Sequence, residues 1–154
     1  MRKKALVTGG AGFIGTNLTK ALLEKGYKVI VFDSLIRKGS RKNLSWLLKN
    51  FRSPKLTVEK KDVRDFASVK KAVSKVDVVF HLAAQVAVTS SLVNPRYDFE
   101  VNALGTLNVL EAARLSANKP ILIYASTNKV YGAMDSLRVS KGQTRYSFLD
   151  YPRG

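Results

Sequence analysis

The chain has 154 residues, of which 45% are hydrophobic and 25% charged, a composition that excludes disorder and fits one soluble globular domain. It contains no cysteine and one histidine, which excludes disulfides and thiolate chemistry and makes a metal site unexpected. Its formal net charge is +16, and the longest mostly apolar run, residues 76–88, is too short to cross a membrane. We therefore expect a cytoplasmic protein without membrane contact.

The first residues predict a strand that leads through glycines into a helix. Residues 5–7 form a short apolar run typical of a strand buried on both faces. Apolar side chains at 14, 18, 21 and 22 then predict an amphipathic helix that ends at Gly26. A basic start before an apolar run imitates a signal peptide, but the glycines interrupt that run and indicate mature structure.

Further strands and helices alternate along the chain. Apolar runs predict strands at 29–32, 56–59, 76–82 and 121–125, and helical spacing predicts helices near 44–51, at 66–73 and from Pro95 to about 117. Asp65 and Asn94 are expected to cap two of these helices. The alternation predicts a doubly wound parallel sheet, an α/β Rossmann domain of about five strands over residues 1–132. Residues 133–154 are expected to form an irregular tail without further strands or helices.

Glycines separate the first strand from the first helix. They stand at positions 9, 12 and 15 in the run Thr8-Gly9-Gly10-Ala11-Gly12-Phe13-Ile14-Gly15. In such a run the first glycine permits a tight turn, the second lets the backbone approach a pyrophosphate, and the third lets the helix pack close to the strand. The phosphates would lie at the positive end of the helix. A plain strand-to-helix turn is the alternative, which the surrounding alternation of elements disfavours.

Asp33 stands at the end of the second strand, eighteen residues after Gly15. A carboxylate at this place accepts hydrogen bonds from the adenosine ribose hydroxyls of a dinucleotide. It would repel a 2′-phosphate, so the sequence predicts NAD rather than NADP. Arg37 and Lys38 soften that preference, because a cation there could accommodate the phosphate. A solvated loop aspartate is the alternative interpretation.

Several motifs together resemble those of the extended short-chain dehydrogenase/reductases, the NAD-dependent epimerase/dehydratase family. The resemblance covers residues 5–132 and rests on the glycine run, Asp62-Val63, His81-Leu82-Ala83-Ala84-Gln85, Asn94-Pro95 through Asn102 to Gly105-Thr106, and Ser126-Thr127-Asn128-Lys129-Val130-Tyr131-Gly132. Within the family, the CDP-tyvelose (CDP-paratose) 2-epimerases are most similar, on the run 32–39 with Asn43 and Trp46, on residues 126–132, and on Thr144-Arg145-Tyr146 with Asp150, Pro152 and Gly154.

The resemblance implies which residues would contact NAD and the sugar. Thr127 matches the family's active-site Ser/Thr, whose hydroxyl bonds the sugar oxygen being oxidised. Asn102 resembles an asparagine near the cofactor, with simple packing as the alternative. The other implied cofactor contacts are Gly9, Gly12, Phe13, Ile14 and Gly15 at the pyrophosphate, Asp33, Ser34 and Arg37 at the ribose, Asp62 and Val63 at the adenine, Leu82, Ala83 and Ala84 along the middle, and Ser126 near the nicotinamide.

The sequence departs from the family in its general base. The family uses a tyrosine with a lysine four residues later, whose ammonium lowers the pKa of the phenol. No tyrosine of this chain has a lysine at that distance, so whether the chain is itself an enzyme stays open. His81 is expected to be a buried, hydrogen-bonded residue, and Lys129 and Lys141 are expected to be solvated.

The leading hypothesis is the NAD-binding portion of a nucleotide-sugar 2-epimerase, a fragment that is inactive alone and would belong to an enzyme transferring hydride at C2. For the full-length family the resemblance implies a nucleotide-sugar substrate and a homodimer. A fragment of a UDP-hexose 4-epimerase or a nucleotide-sugar dehydratase is the alternative.

A hypothesis of another class is a non-catalytic nucleotide- or nucleic-acid-binding module. Between Arg37 and Lys75 thirteen basic residues stand against three acidic ones, and such a surface attracts nucleic acid. The missing Tyr/Lys pair favours this hypothesis, whereas Asp33 and Thr127 do not, so nucleic acid is the less favoured partner. A salt series on binding to random DNA distinguishes the two hypotheses.

Overall fold

A five-stranded parallel sheet forms the centre of the computed structural model, which describes residues 3–51 and 54–149. Its strands lie in the order β3-β2-β1-β4-β5, and their bounds are β1 Lys4–Thr8, β2 Lys28–Phe32, β3 Leu56–Glu59, β4 Val78–His81 and β5 Ile121–Tyr124. The order reverses between β1 and β4, as in a doubly wound sheet. The predicted α/β Rossmann fold is therefore confirmed. Arg52 of the basic stretch and Asp150, Pro152 and Gly154 lie outside the described residues.

Helices cover both faces of this sheet. Their bounds are α1 Phe13–Glu24, α2 Ser40–Asn50, α3 Phe66–Val73, α4 Val88–Val93, α5 Pro95–Phe99 and α6 Gly105–Leu115, with a π-helical segment at Glu100–Leu104 between the last two. Asp65 accepts a hydrogen bond from Ser68 N at 3.2 Å and Asn94 accepts one from Tyr97 N at 3.0 Å. Both predicted caps are confirmed, whereas α4 and the π-helical turn were not predicted.

Two apolar clusters hold the helices on the sheet. Because successive side chains of a strand point to opposite faces, Leu6 packs with residues of α3 and α6 such as Val69 and Val109. Ala5 and Val7 pack on the other face with Leu22 and Leu23 of α1. The strand ends at the carboxyl edge are thus fixed from both sides, and this edge carries the candidate site.

The segment after β5 contains a 3₁₀ helix at Asn128–Tyr131 and a hairpin of β6 Val139–Lys141 and β7 Tyr146–Phe148. The prediction of a tail without strands was wrong for this hairpin. Gly142 N donates to Arg145 O at 2.9 Å and closes its turn. Strands of three residues are too short for alternating hydrophobicity to reveal them.

Apolar side chains remain exposed on β5 and along the outer side of α6. Ile121 is 68% exposed at the edge of the sheet, and Leu107 is 53% exposed. Trp46 is 45% exposed and contacts Phe51 edge to face, with ring centroids 6.1 Å apart. Within the described ranges, no helix combines the length and the apolar character that crossing a lipid bilayer requires.

Candidate functional site

A cleft opens where the strand order reverses, at the carboxyl ends of β1, β2 and β4. Its volume is about 710 Å³, which is in the range of small-molecule sites. The glycine run forms one wall, the ends of β2 and β3 form another, and the segment after β4 forms a third. The predicted site residues that line it are Gly9, Gly12, Phe13, Ile14, Gly15, Asp33, Ser34, Arg37, Asp62, Val63, Leu82, Ala83, Ala84 and Ser126.

The glycine run brings its backbone unusually close to the segment after β4. Gly9 has φ +67°, and a Cβ there would lie 2.8 Å from Ala83 N. At Gly15 a Cβ would collide with the carbonyl oxygen of Gly9. The first position therefore needs a left-handed turn and the third needs a missing side chain, as the motif predicts.

The start of α1 lies at the cleft, which Gly12, Phe13, Ile14 and Gly15 line. Gly12 precedes the helix with φ −72° and ψ 176°, and no side chain caps the helix there. The first N–H groups of a helix have no partner within it, and the helix dipole makes this end attractive to anions. Phe13 and Ile14 beside it are 82% and 64% exposed, so apolar walls flank an anion-attracting centre.

Asp33 is half-buried and held in one orientation by two backbone groups. Its Oδ2 accepts from Ala11 N at 3.0 Å, and its Oδ1 accepts from Leu35 N at 2.8 Å. Asn43 of α2 donates to Ala11 O at 3.0 Å and fixes the same turn from the other side. Each carboxylate oxygen retains a further lone pair, so the group can accept two more hydrogen bonds from a ligand.

Asp62 is paired with Arg64 through both of its carboxylate oxygens. Arg64 Nε lies 3.1 Å from Asp62 Oδ1 and Arg64 Nη2 lies 2.9 Å from Oδ2, while Arg64 Nη1 donates to Glu100 Oε2 at 3.2 Å. Partial burial raises the pKa of Asp62, but the hydrogen bonds from Arg64 outweigh it, so the pKa of this carboxyl lies below its usual value. Asp62 is thus ionised and fixed in direction.

Val63 is buried beside Asp62, and α6 packs closely on it. Asn108 Nδ2 donates to Val63 O at 2.9 Å, and a Cβ at Gly105 would lie 2.7 Å from Val63 Cγ2. The predicted adenine-side pair is therefore anchored to the long helical region. Neither Asn108 nor Gly105 was singled out for this contact in the sequence, because nothing local to them indicates a partner more than forty residues away.

His81 lies beneath the cleft at the end of β4. It is 1% exposed, and its Nδ1 lies 2.7 Å from Thr8 Oγ1. Burial lowers the pKa of His81 to about 4, so the imidazole is neutral near pH 7. The expectation of a buried, hydrogen-bonded histidine is confirmed. Among the described residues, no three or more His, Asp or Glu side chains gather where they could hold a metal ion.

A second hollow of about 560 Å³ adjoins the cleft near the end of β5. Thr127 and Asn102 line this hollow and not the first, whereas Ser126 lines both. The Thr127 side chain is exposed, and its Oγ1 accepts from Lys129 N at 3.3 Å. The hydroxyl can still donate one hydrogen bond into the hollow.

Residues that the sequence reasoning did not single out also line the cleft. Gln85 and Val86 border both hollows, and Ile36 and Lys61 border the first. Val86 and Ile36 are 63% and 64% exposed. Signals for Gln85 and Ile36 were present, since Gln85 closes the motif that begins at His81 and Ile36 lies in the run 32–39, but Lys61 lies just outside the pair Asp62-Val63.

The chain is similar to sugar-nucleotide enzymes in sequence and in structure. The family described as GDP-mannose 4,6 dehydratase matches residues 6–147. The CDP-paratose 2-epimerase of Salmonella typhi is 45% identical over 155 aligned positions, which cover 98% of this chain and 44% of that protein. The UDP-glucose 4-epimerase of Thermus thermophilus, solved in complex with NAD, is 41% identical with a TM-score of 0.60, over 72% of this chain and 33% of that one.

A second solved structure matches over a larger part of the chain. The UDP-glucose-4-epimerase of Stenotrophomonas maltophila, with bound NAD and formylated UDP-arabinopyranose, has a TM-score of 0.75 and 27% identity, over 87% of this chain and 40% of that one. The chain therefore spans less than half the length of each of these relatives.

Proposed function

Since the chain belongs to the family described as GDP-mannose 4,6 dehydratase, we propose that it binds NAD and forms the cofactor-binding portion of a nucleotide-sugar 2-epimerase. The substrate class would be a CDP-hexose of the paratose and tyvelose type. Pairing with a second copy of the chain and the cytoplasmic location expected from the sequence are part of this proposal.

The orientation of Asp33 is the observation that carries the cofactor assignment. Backbone N–H groups of Ala11 and Leu35 fix its two oxygens, and the free lone pairs of those oxygens suit the two hydroxyls of an adenosine ribose. Asp62 and Val63 lie along the same wall for the adenine. A 2′-phosphate would meet the Asp33 carboxylate, which supports NAD over NADP.

The start of α1 fits the pyrophosphate. Its unpaired N–H groups and positive dipole end suit two phosphates, and Gly12 leaves no side chain between them and the backbone. Gly9, Phe13, Ile14 and Gly15 would complete this contact. Leu82, Ala83 and Ala84 lie farther along the cleft, where the middle of the dinucleotide would pass, and Ser126 lies where the cleft meets the second hollow.

The choice of substrate rests on the relative from Salmonella typhi, a CDP-paratose 2-epimerase at 45% identity. When bound, NAD would accept the hydride that leaves C2 of the sugar and would return it to the opposite face of C2. Thr127 would orient the sugar oxygen through its hydroxyl, which lies in the second hollow. Asn102 lines the same hollow, and Arg37 would flank the ribose end of the cleft.

A 4-epimerase acting on UDP-hexoses is the second candidate. The UDP-glucose 4-epimerase of Thermus thermophilus supports it at 41% identity, over a smaller part of this chain. The two candidates share the cofactor assignment and differ only in the sugar nucleotide and the carbon that reacts. Comparing the affinities of the chain for CDP-paratose and for UDP-glucose distinguishes the two candidate functions.

The test of cofactor binding uses two variants of Gly12. Its φ of −72° and ψ of 176° are open to any residue, and both Asn and Asp are favourable helix caps. Gly12→Asp places a negative charge at the pyrophosphate, while Gly12→Asn adds nearly the same volume without charge. We expect calorimetry to show NAD⁺ binding to the unaltered chain, a moderate loss for Gly12→Asn, and a further loss of about tenfold or more for Gly12→Asp. Equal affinities for the two variants would contradict the proposal.

A further inference from the structure

A row of hydrogen bonds runs behind the cleft from Asn102 through Thr106 to His81. The Thr106 hydroxyl oxygen lies 2.6 Å from the carbonyl oxygen of Asn102. Because a carbonyl only accepts, Thr106 donates its single proton there. His81 Nε2 lies 3.1 Å from the same hydroxyl oxygen. Thr106 has no second proton, so His81 Nε2 must carry the hydrogen and donate it.

The other ring nitrogen of His81 is then an acceptor. Thr8 Oγ1 lies 2.7 Å from His81 Nδ1 and donates its proton to it. The Thr8 oxygen in turn accepts from the backbone N–H groups of Leu82 and Ala83, each at 3.2 Å. All donors of the row therefore point in one direction, from the segment after β4 toward the π-helical carbonyl. Reversing one of them would leave buried groups without a partner, which is costly.

The side chain of Asn102 also binds the segment after β4, at Gln85. Its Oδ1 accepts from Gln85 N at 2.8 Å, and its Nδ2 donates to Gln85 O at 3.0 Å and to Asp98 Oδ1 at 3.1 Å. The amide thus pairs with both backbone groups of Gln85, as a neighbouring strand would. Asn102 itself stands in the π-helical segment, a type of turn that often marks functional sites.

The segment fixed in this way, residues 82–86, has no regular secondary structure. It nevertheless lines both hollows along its whole length. Thr8 holds its beginning and Asn102 holds Gln85 near its end. An irregular segment that is already ordered before a ligand arrives loses less entropy on binding.

We propose that His81, Thr106 and Asn102 are positioning residues, which hold residues 82–86 in the conformation that receives the nicotinamide half of the dinucleotide. The inference rests on the proposed function, and it assigns His81 a fixed tautomer with the proton on Nε2. The burial that lowers the pKa of His81 to about 4 keeps the ring neutral, and only a neutral ring can accept from Thr8 while donating to Thr106.

The first test is the tautomer in the free protein. His81 is the only histidine of the chain, so nitrogen-15 NMR of its ring is unambiguous. We expect a bare Nδ1 and a protonated Nε2 at pH 7. A protonated Nδ1 would overturn the inference, and this measurement does not depend on whether the chain binds NAD.

The second test removes one link of the row. Thr106→Val keeps the shape of the side chain but removes its hydroxyl, whereas the conservative variant Thr106→Ser retains the hydroxyl. Thr57→Val, at an exposed position of β3, is the matched control. We expect Thr106→Val to change the nitrogen-15 signals of the His81 ring and to speed hydrogen exchange at Gln85 N about tenfold. The affinity for NAD⁺ should fall about tenfold. Thr106→Ser and Thr57→Val should behave as the unaltered chain.

Binding of AMP separates positioning from a general loss of structure. AMP occupies only the adenosine side, so its affinity should change less than about twofold in Thr106→Val. An equal loss for AMP and NAD⁺ would overturn the inference. If Thr106→Val does not fold, Asn102→Ala tests the same link to Gln85, with the exposed Asn50→Ala as its control. If the unaltered chain binds no NAD⁺, the proposed function fails and with it the role toward the nicotinamide half, while the tautomer and the exchange at Gln85 still decide whether the row holds residues 82–86 in place.

Discussion

The two sides of the cleft differ in how many contacts hold their residues in place. On the glycine side, hydrogen bonds hold Asp33 to the backbone of Ala11 and Leu35, and they hold Asp62 to Arg64. On the Thr127 side, Ser126, Thr127 and residues 129–131 are exposed, and β5 beside them is an edge strand with Ile121 and Tyr124 open to solvent. The difference shows that contacts within the described residues hold the side proposed to bind the dinucleotide, whereas the side proposed to receive the sugar is open to solvent.

The largest expected effect is a complete separation of binding from turnover. We predict that the 154-residue chain binds NAD⁺ but converts no CDP-paratose to CDP-tyvelose. General bases contribute about 10²–10⁴ in rate, and the sequence has no tyrosine with a lysine four residues later. Thr127 is not a base near neutral pH, and His81 is buried with both ring nitrogens engaged. NMR of the sugar nucleotide during incubation with NAD⁺ measures the outcome.

Enzyme-dependent formation of CDP-tyvelose would contradict the prediction that the chain binds NAD⁺ without turnover. It would show that a base on the Thr127 side is active or that a second chain provides one. Thr127→Ala then serves as the diagnostic variant, because it should abolish such turnover only if the second hollow is the reacting site. An exposed serine outside both hollows, Ser136→Ala, is the control.

The next largest effect concerns His81, which lies between the two sides. Its pKa is lowered by burial from 6.5 to about 4, so between these values the unfolded chain binds a proton that the folded chain does not. Stability is therefore fully present above about pH 6.5 and falls as the pH is lowered toward 4. The full shift corresponds to about 3 kcal/mol. Urea unfolding at pH 7.5 and at pH 4 measures it.

His81→Gln provides the reference for this measurement, because the carboxylates titrate alike in both proteins. The unaltered chain should lose about 3 kcal/mol more than the variant over this pH range. Parallel pH profiles would show that water reaches the imidazole, and would contradict the buried, neutral state that we assign to His81.

The backbone geometry of the glycine run was predictable from the sequence because its signals are local. Gly9 and Gly15 are required by a turn and by a close approach within seven residues, and the Asp65 cap depends on a side chain three residues away. The family resemblance drawn from these motifs is confirmed by the match over residues 6–147. The five strands alternate with helices at lengths that periodicity detects.

The remaining features depend on distant contacts that no local pattern reveals. Asn102 was singled out, but no local pattern indicated that its amide binds Gln85 and Asp98 or that the helix around it has a π turn. The hairpin after Gly132 has strands of three residues, and α4 has six. Such short elements form through tertiary contacts and lie below the length at which apolar spacing is informative.

A third prediction sharpens the description of the glycine side. The unaltered chain should bind NAD⁺ more tightly than NADP⁺, and Asp33→Ala should weaken NAD⁺ about 10- to 100-fold, because it removes acceptors for the ribose and loosens the turn at Ala11. The affinity for NADP⁺ should fall less than that for NAD⁺, so the difference between the two affinities becomes smaller. Calorimetry with both nucleotides measures this, with Asp135→Ala, outside the cleft, as control. Tighter NADP⁺ binding by the unaltered chain would mean that Arg37 and Lys38 dominate.

The smallest effect per residue is expected on the outer face of α6, where Leu107 and Leu110 are 53% and 47% exposed. Exposed apolar patches of this kind promote association, so we predict concentration-dependent self-association and binding of a hydrophobic dye. Each of Leu107→Gln and Leu110→Gln should weaken association by about 1 kcal/mol, whereas Leu48→Gln, 46% exposed on α2, should leave it unchanged. Sedimentation at micromolar concentration measures the association. A single monomeric species without dye binding would contradict the prediction, and an equal effect of Leu48→Gln would show that the association is not specific to the outer face of α6.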